Sequence, residues 1–226
     1  MTTRESSAAP TLLPQRVTLE GSAVRLAPLR ARHAVDLYEA THGAGREALW
    51  RYLPTEPFAD QAAFDASIAT KEASEDPLWF AVLDHASGGA LGMLSLMRID
   101  APNRVIEVGG VLFGPAMQRS RASTEAQYLL ARYVFETLRY RRYEWKCDNR
   151  NEPSQRAALR LGFTFEGVFR QHMIVKGENR DTAWFSMLDG EWPSRKAAFE
   201  AWLSDGNFDA QGRQRRMLFR IQQVKS

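Results

Sequence analysis

The stretch Asn151–Arg170, NEPSQRAALRLGFTFEGVFR, decides how the rest of the chain is read. Asn151 or Glu152 starts a helix with Pro153 in its first turn, where a missing N–H costs nothing. The helix is amphipathic and stops at Gly162, a residue suited to a left-handed C-cap. Thr164–Val175 then reads as a strand. Upstream, Val105–Phe113 is a strand that runs into the polar turn Gln118-Arg119-Ser120-Arg121-Ala122-Ser123. That turn opens a second helix, from about Ser123 to Leu138, with Ala126, Leu129, Leu130, Tyr133, Val134 and Leu138 on one stripe. A strand feeding a helix N-terminus with free backbone N–H groups is a ready anion site.

Outward from this block the pattern is mixed. Val17–Leu29 alternates in part around Gly21-Ser22, as a hairpin or paired strand does. Arg30–Thr41 has helical spacing, with Gly43 at its end. An aromatic loop, Ala44–Phe58, precedes Asp60, which can cap a helix carrying Ala63, Phe64, Ser67 and Ile68 on one face. Leu78–Asp84 and Ala90–Ile99 flank Ser87-Gly88-Gly89, a hairpin signal. Arg142–Asp148 is a short strand, and Thr164–Val175 with Arg180–Leu188 closes the sheet as an antiparallel pair. Strands clustered before interleaved helices predict one mixed domain over 17–193. A loosely held arm (1–16) precedes it, and a helix with a basic tail (194–226) follows.

The chain has 226 residues, 44% hydrophobic and 25% charged, the balance of an ordinary globular protein. No apolar run approaches the roughly 18 residues that span a bilayer. The opening MTTRESSAAP lacks an apolar signal core, so a cytoplasmic protein is expected. Cys147 is the only cysteine, which excludes an internal disulfide and any multi-cysteine metal site. The net charge of +3 sits in the tail, where Arg213, Arg215, Arg216, Arg220 and Lys225 face no acid from Ala210 onward. Without aromatic interleaving, that tail does not read as a nucleic-acid platform.

Asn151-x-x-Ser154-x-x-Ala157…Gly162-Phe163, taken with the strand–turn–helix before it and Gln118 at the head of the turn, resembles the GNAT superfamily of acetyl-CoA-dependent N-acetyltransferases. Within it, the chain looks like the branch of ribosomal-protein N-terminal acetyltransferases. The resemblance implies an α/β (α+β) fold: a mostly antiparallel sheet, splayed near its middle and flanked by helices, with a C-terminal helical extension. It implies acetyl-CoA as cosubstrate and no metal. The pyrophosphate would lie on Gln118, Arg119, Ser120, Arg121, Ala122, Ser123 and Thr124. Backbone N–H groups near Val111 and Leu112, in a bulged Gly109–Leu112, would meet the oxyanion. Asn151 would contact the pantetheine, and Ser154 would lie near the thiol.

Arg121 stands where the family has its first glycine, and Ser123 where it has the second. A left-handed conformation at Arg121 would cost about 1 kcal/mol or more. Its guanidinium is free to meet a CoA phosphate, or Arg119 and Arg121 are solvated turn residues. Ala158 occupies the slot of the family's tyrosine acid, which leaves Ser154, or a water it holds, as the proton donor.

Amide formation also needs a neutral amine, hence a base. Glu107 on the 105–113 strand is the first choice, though it could instead pair with a basic neighbour on an adjoining strand. His172 is the second, or a structural histidine. Trp50 and Tyr52 either line the acceptor site or anchor their loop in the core. Cys147 reads as a small buried residue, since no adjacent histidine supports a nucleophile. The acceptor is an amine, of a small molecule or a protein N-terminus. No membrane or nucleic-acid partner is expected, and a homodimer stays open. The alternative is a non-catalytic acyl-CoA-binding or regulatory module of the same fold.

Overall fold

The structure is a computed structural model and describes residues 12–223. Eight strands form one sheet: β1 (Leu19–Glu20), β2 (Val24–Pro28), β3 (Leu78–Asp84), β4 (Ala90–Asp100), β5 (Val105–Phe113), β6 (Arg142–Asp148), β7 (Thr164–Val175) and β8 (Glu178–Leu188). Their order is β1-β2-β3-β4-β5-β6-β8-β7. All neighbours are antiparallel except β5 and β6. That one parallel pair follows from the crossover helix α3 (Arg121–Arg132), since parallel strands cannot be joined by a tight turn.

Two apolar layers sandwich the sheet. On one face, α3, α4 (Glu152–Leu161), α5 (Trp192–Leu203) and α6 (Leu218–Gln223) build the main core with Ile106, Val108, Tyr143, Trp145, Ala183 and Phe185. On the other, α1 (Ala34–Thr41) and α2 (Gln61–Ala73) pack a smaller cluster whose strand residues come from β2, β3, β4 and β5 alone. Beyond β5, that second face carries the charged side chains of β6 and, on β8 and β7, Trp184 with Phe169 and His172 against it.

Local chemistry explains the element ends. Asp60 accepts a hydrogen bond from the Ala63 N–H at 2.8 Å and starts α2. Gly162 takes the left-handed conformation (φ 96°) that ends α4. The Glu125 carboxylate, buried in α3, accepts hydrogen bonds from the N–H groups of Ser22, Ala23 and Val24. A Cβ on Gly21 would come within 2.7 Å of that carboxylate, so the β1–β2 turn needs glycine there.

Both ends of the described chain are held against the body of the fold. In the basic segment after Leu203, Leu218 (1% exposed) and Ile221 (4%) are buried in the main core. Asn207 ties this segment down: its Nδ2 donates to the Trp202 and Arg216 carbonyls, and its Oδ1 accepts from the Arg216 N–H. Among the described residues, α5 and α6 share the core of 17–193. The N-terminal arm is also anchored where it is described, with the Gln15 N–H donating to the Tyr133 hydroxyl at 2.8 Å and Arg16 Nη2 donating to the Ser74 carbonyl at 2.9 Å. Residues 1–11 and 224–226 of the expected arm and tail lie outside the described residues.

Candidate active site

The parallel pairing of β5 and β6 runs from Val105/Arg142 to Val108/Trp145 and stops. Both strands continue past it, so a gap opens between them. Its cause lies in β5. The register with β4 jumps from Ser95/Gly109 to Met93/Leu112, placing a bulge at Gly110-Val111. Gly110 has φ 59°, and a Cβ there would stand 2.3 Å from the Trp79 ring. The bulge also switches faces: Val108 lies in the main core, but Leu112 lies in the second cluster. The expected bulge is therefore present, and Val111 sits within it.

Glu107 precedes the last β5–β6 pair. It is flanked by Ile106 and Val108 of the main core, and its own side chain lies on the opposite face, buried. Lys146 Nζ stands 2.8 Å from its Oε2, and Arg98 Nε stands 3.5 Å away. Burial pushes the Glu107 pKa up, and Lys146 works against that rise. Pairing with a basic neighbour on an adjoining strand is thus its ground state.

Ser154 lies across the sheet, in the first turn of α4. Its Oγ accepts from Trp145 Nε1 at 3.0 Å, and its N–H donates to Asn151 Oδ1 at 3.1 Å. Asn151 is therefore the α4 N-cap, with its Oδ1 accepting the cap bond. Cys147 is buried beside Ser154, and burial pushes its thiol pKa up, which disfavours the thiolate a nucleophile needs.

The turn before α3 differs in detail from the expectation. Ser120 is the N-cap, so the helix begins at Arg121 and not at Ser123. Ser120 Oγ accepts the Ser123 N–H, and the Ser120 N–H goes to the Met117 carbonyl. The N–H groups of Arg119, Arg121 and Ala122 meet no acceptor among the described residues. The left-handed residue is Arg119 (φ 56°), because the cap places Arg121 already in the helix. Gln118 and Arg119 are exposed. The Arg121 guanidinium is engaged by the protein itself. It donates to Asp205 Oδ1 at 2.8 Å and the Leu203 carbonyl at 2.6 Å, and it lies over the Phe208 ring. Thr124 is buried and accepts from Arg160 Nη2.

Trp50 borders one cleft, together with Tyr38, His42 and Phe58. It is 2% exposed, its Nε1 donates to the Thr41 carbonyl, and its ring packs on His42 and Phe58. Tyr52 is different. Its hydroxyl donates to the Arg150 carbonyl at 3.0 Å, at the edge of a cleft of about 360 Å³ lined by Asp148, Asn149, Arg150, Glu178, Asn179 and Asp181. His172 is on β7, three strands from β5 in the sheet, a lateral distance of about 14 Å at ordinary strand spacing. Its Nδ1 is 3.0 Å from Thr182 Oγ1, and its ring lies against Phe169 and Trp184. Glu107 and Ser154 thus flank the gap from the two faces, whereas His172 stands apart. Among the described residues no cluster of three His, Cys, Asp or Glu side chains could hold a metal, and no helix is long and apolar enough to cross a membrane.

The family model described as an acetyltransferase (GNAT) domain matches residues 23–164, more than half of the chain. The chain belongs to the GNAT acetyltransferase family. This GNAT protein is similar over 96% of its length to a GCN5-related N-acetyltransferase from Brucella melitensis, at 49% identity and a TM-score of 0.94, with 99% of that chain covered. A GNAT-family structure from Chromobacterium violaceum ATCC 12472 matches at 42% identity and a TM-score of 0.79, over 85% of this chain and 96% of its own. The Bacillus subtilis (strain 168) protein YdaF, provisionally named a ribosomal N-acetyltransferase, is 32% identical over 109 residues. That match covers 48% of this chain and 59% of YdaF, less than two thirds of the relative's length.

Lys146 lies outside the motifs of the sequence. Its signal is the alternation Arg142-Tyr143-Glu144-Trp145-Lys146-Cys147-Asp148, which puts + − + − on one face of a strand.

Proposed function

We propose that this protein transfers the acetyl group of acetyl-CoA to a primary amine by direct attack. The observation that carries this reading is the placement of Glu107 and Ser154 on the two faces of the sheet, where β5 and β6 part. Bound acetyl-CoA supplies an activated thioester. The free N–H groups of Arg119, Arg121 and Ala122 at the start of α3 suit its pyrophosphate. Val111, in the bulge, offers backbone at the parted edge of β5.

Glu107 takes the proton that the acceptor ammonium must lose, through a water. The nitrogen's second proton, lost as the amide forms, replaces the one that Ser154 gives to the departing sulfur. The hydroxyl thus relays a proton and ends unchanged, and Trp145 does not engage that proton. The name of YdaF favours a protein N-terminus as acceptor, and a small-molecule amine is the other candidate. Tyr52 and the cleft beside Arg150 lie at the β6 end of the gap, where an acceptor would approach.

The test is direct. Acetyl-CoA is mixed with pooled amines and with peptides carrying free N-termini, and thiol release is followed with product mass. Amine-dependent thiol release with a stoichiometric acetylated product supports the reading. Tight acetyl-CoA binding with no acceptor-dependent release assigns a non-catalytic acyl-CoA-binding module instead.

A further inference from the structure

Along β6, Tyr143, Trp145 and Cys147 enter the main core, while Arg142, Glu144 and Lys146 form ion pairs on the opposite face. Glu144 is the parallel partner of Glu107, and Lys146 lies just past the last β5–β6 pair. From there its ammonium reaches back. Nζ stands 2.8 Å from Glu107 Oε2, 2.7 Å from Glu144 Oε2 and 3.8 Å from the centre of the Trp184 ring. The Lys146 side chain is 5% exposed and that of Glu107 6%. Burying an ammonium and a carboxylate is costly unless they are paired. Here one ammonium is divided between two carboxylates and an aromatic face.

That division has a chemical consequence. A carboxylate buried alone takes up a proton and cannot act as a base at neutral pH. A carboxylate given an ammonium of its own is ionised but weakly basic. Glu107 lies between these limits, because Glu144 draws on the same ammonium.

We propose that Lys146 is a positioning residue that sets the protonation state of Glu107, with Glu144 as the competitor that tunes its hold. The proposal rests on the reading of Glu107 as the base. The charged groups facing Glu107 are Arg98 from β4, and Lys146 and Glu144 from β6. Behind Glu144, Arg142 lies 2.7 Å from its Oε1 and also grips Glu166 of β7, holding that carboxyl down at about 2. The alternating line Glu107–Lys146–Glu144–Arg142–Glu166 therefore runs from β5 through β6 and over β8 to β7. Burial raises the Glu107 pKa, Lys146 and Arg98 lower it, and Glu144 raises it again.

The experiment compares wild type, Lys146→Met, Lys146→Arg, Glu144→Gln and Glu107→Gln. It reads kcat/KM against pH with an amine acceptor, together with a carbon-13 NMR titration of the Glu107 carboxyl. Lys146→Met should move the acid limb and the NMR titration to higher pH by about one pH unit or more. Glu144→Gln, which leaves the ammonium wholly to Glu107, should move both to lower pH. Lys146→Arg should sit near wild type. Opposite displacements from two neighbouring substitutions are not what loss of packing produces. An unmoved titration in both Lys146→Met and Glu144→Gln, or displacement of both in one direction, overturns the proposal. Full kcat in Glu107→Gln would instead overturn the reading of Glu107 as base, and the NMR titration would still decide whether Lys146 governs it.

Discussion

Trp145 Nε1 donates to Ser154 Oγ across 3.0 Å, which occupies a lone pair of the hydroxyl and leaves its proton to be donated elsewhere. The indole that orients this hydroxyl comes from β6, where the strand leaves β5. The Ser154 hydroxyl is therefore oriented by one of the two strands that border the gap. Replacing Ser154 with alanine should lower kcat by about 10²-fold or more, the usual cost of losing a general acid or base. It should also lower the melting temperature, because an unpaired indole N–H costs about 1–3 kcal/mol. Trp145→Phe keeps the hydroxyl and should cost kcat only several-fold. If both variants lose rate equally, orientation matters as much as the proton, and Ser154 is not the donor as described.

The free donors at the start of α3 can be separated from the Arg121 side chain. Ser120 is extended (φ −103°, ψ 169°), a conformation compatible with a following proline. Arg121→Pro therefore removes the side chain and one N–H, whereas Arg121→Ala removes the side chain alone. A hydrogen bond to a charged group contributes about 1.5–3 kcal/mol. CoA should thus bind Arg121→Pro about tenfold or more weakly than Arg121→Ala in calorimetry. Equal affinities would remove the pyrophosphate from this turn.

The C-terminal segment is structural. Leu218→Ala empties a fully buried site and should destabilise the protein by about 2–5 kcal/mol in urea unfolding. Arg213→Ala removes an exposed pair with Asp209 and a bond to Gln211, and should leave the urea midpoint essentially unchanged. A Leu218→Ala change as small as that of Arg213→Ala would mean that α6 does not belong to the core.

Much of this is legible in the sequence. The strand–turn–helix order, the Ser87–Gly89 hairpin, the Asp60 cap and Gly162 all rest on local chemistry, and the structure places them where that chemistry does. What escaped depends on non-local geometry. Leu218 and Ile221 are an apolar i, i+3 pair inside an arginine-rich stretch, and net composition conceals them. The strained turn residue is Arg119 because Ser120, not its neighbours, caps α3, and a one-residue difference in the cap moves every assignment after it. Trp50 reads equally well as a binding or a packing aromatic, and the Thr41 carbonyl on its Nε1 is visible only in the fold. The charge alternation of β6 is visible in the sequence, but only the register with β5 shows that Lys146 meets Glu107.

The most direct measurement is kcat of Glu107→Gln against wild type, with acetyl-CoA and a primary amine, at neutral and at high pH. At neutral pH the substitution should depress kcat by about 10²–10⁴-fold. The acetyl-CoA dissociation constant should be nearly unchanged, and the deficit should shrink at high pH, where the amine is already neutral. Nearly full kcat in Glu107→Gln, with the loss appearing in His172→Gln, would contradict this account and move the base to β7.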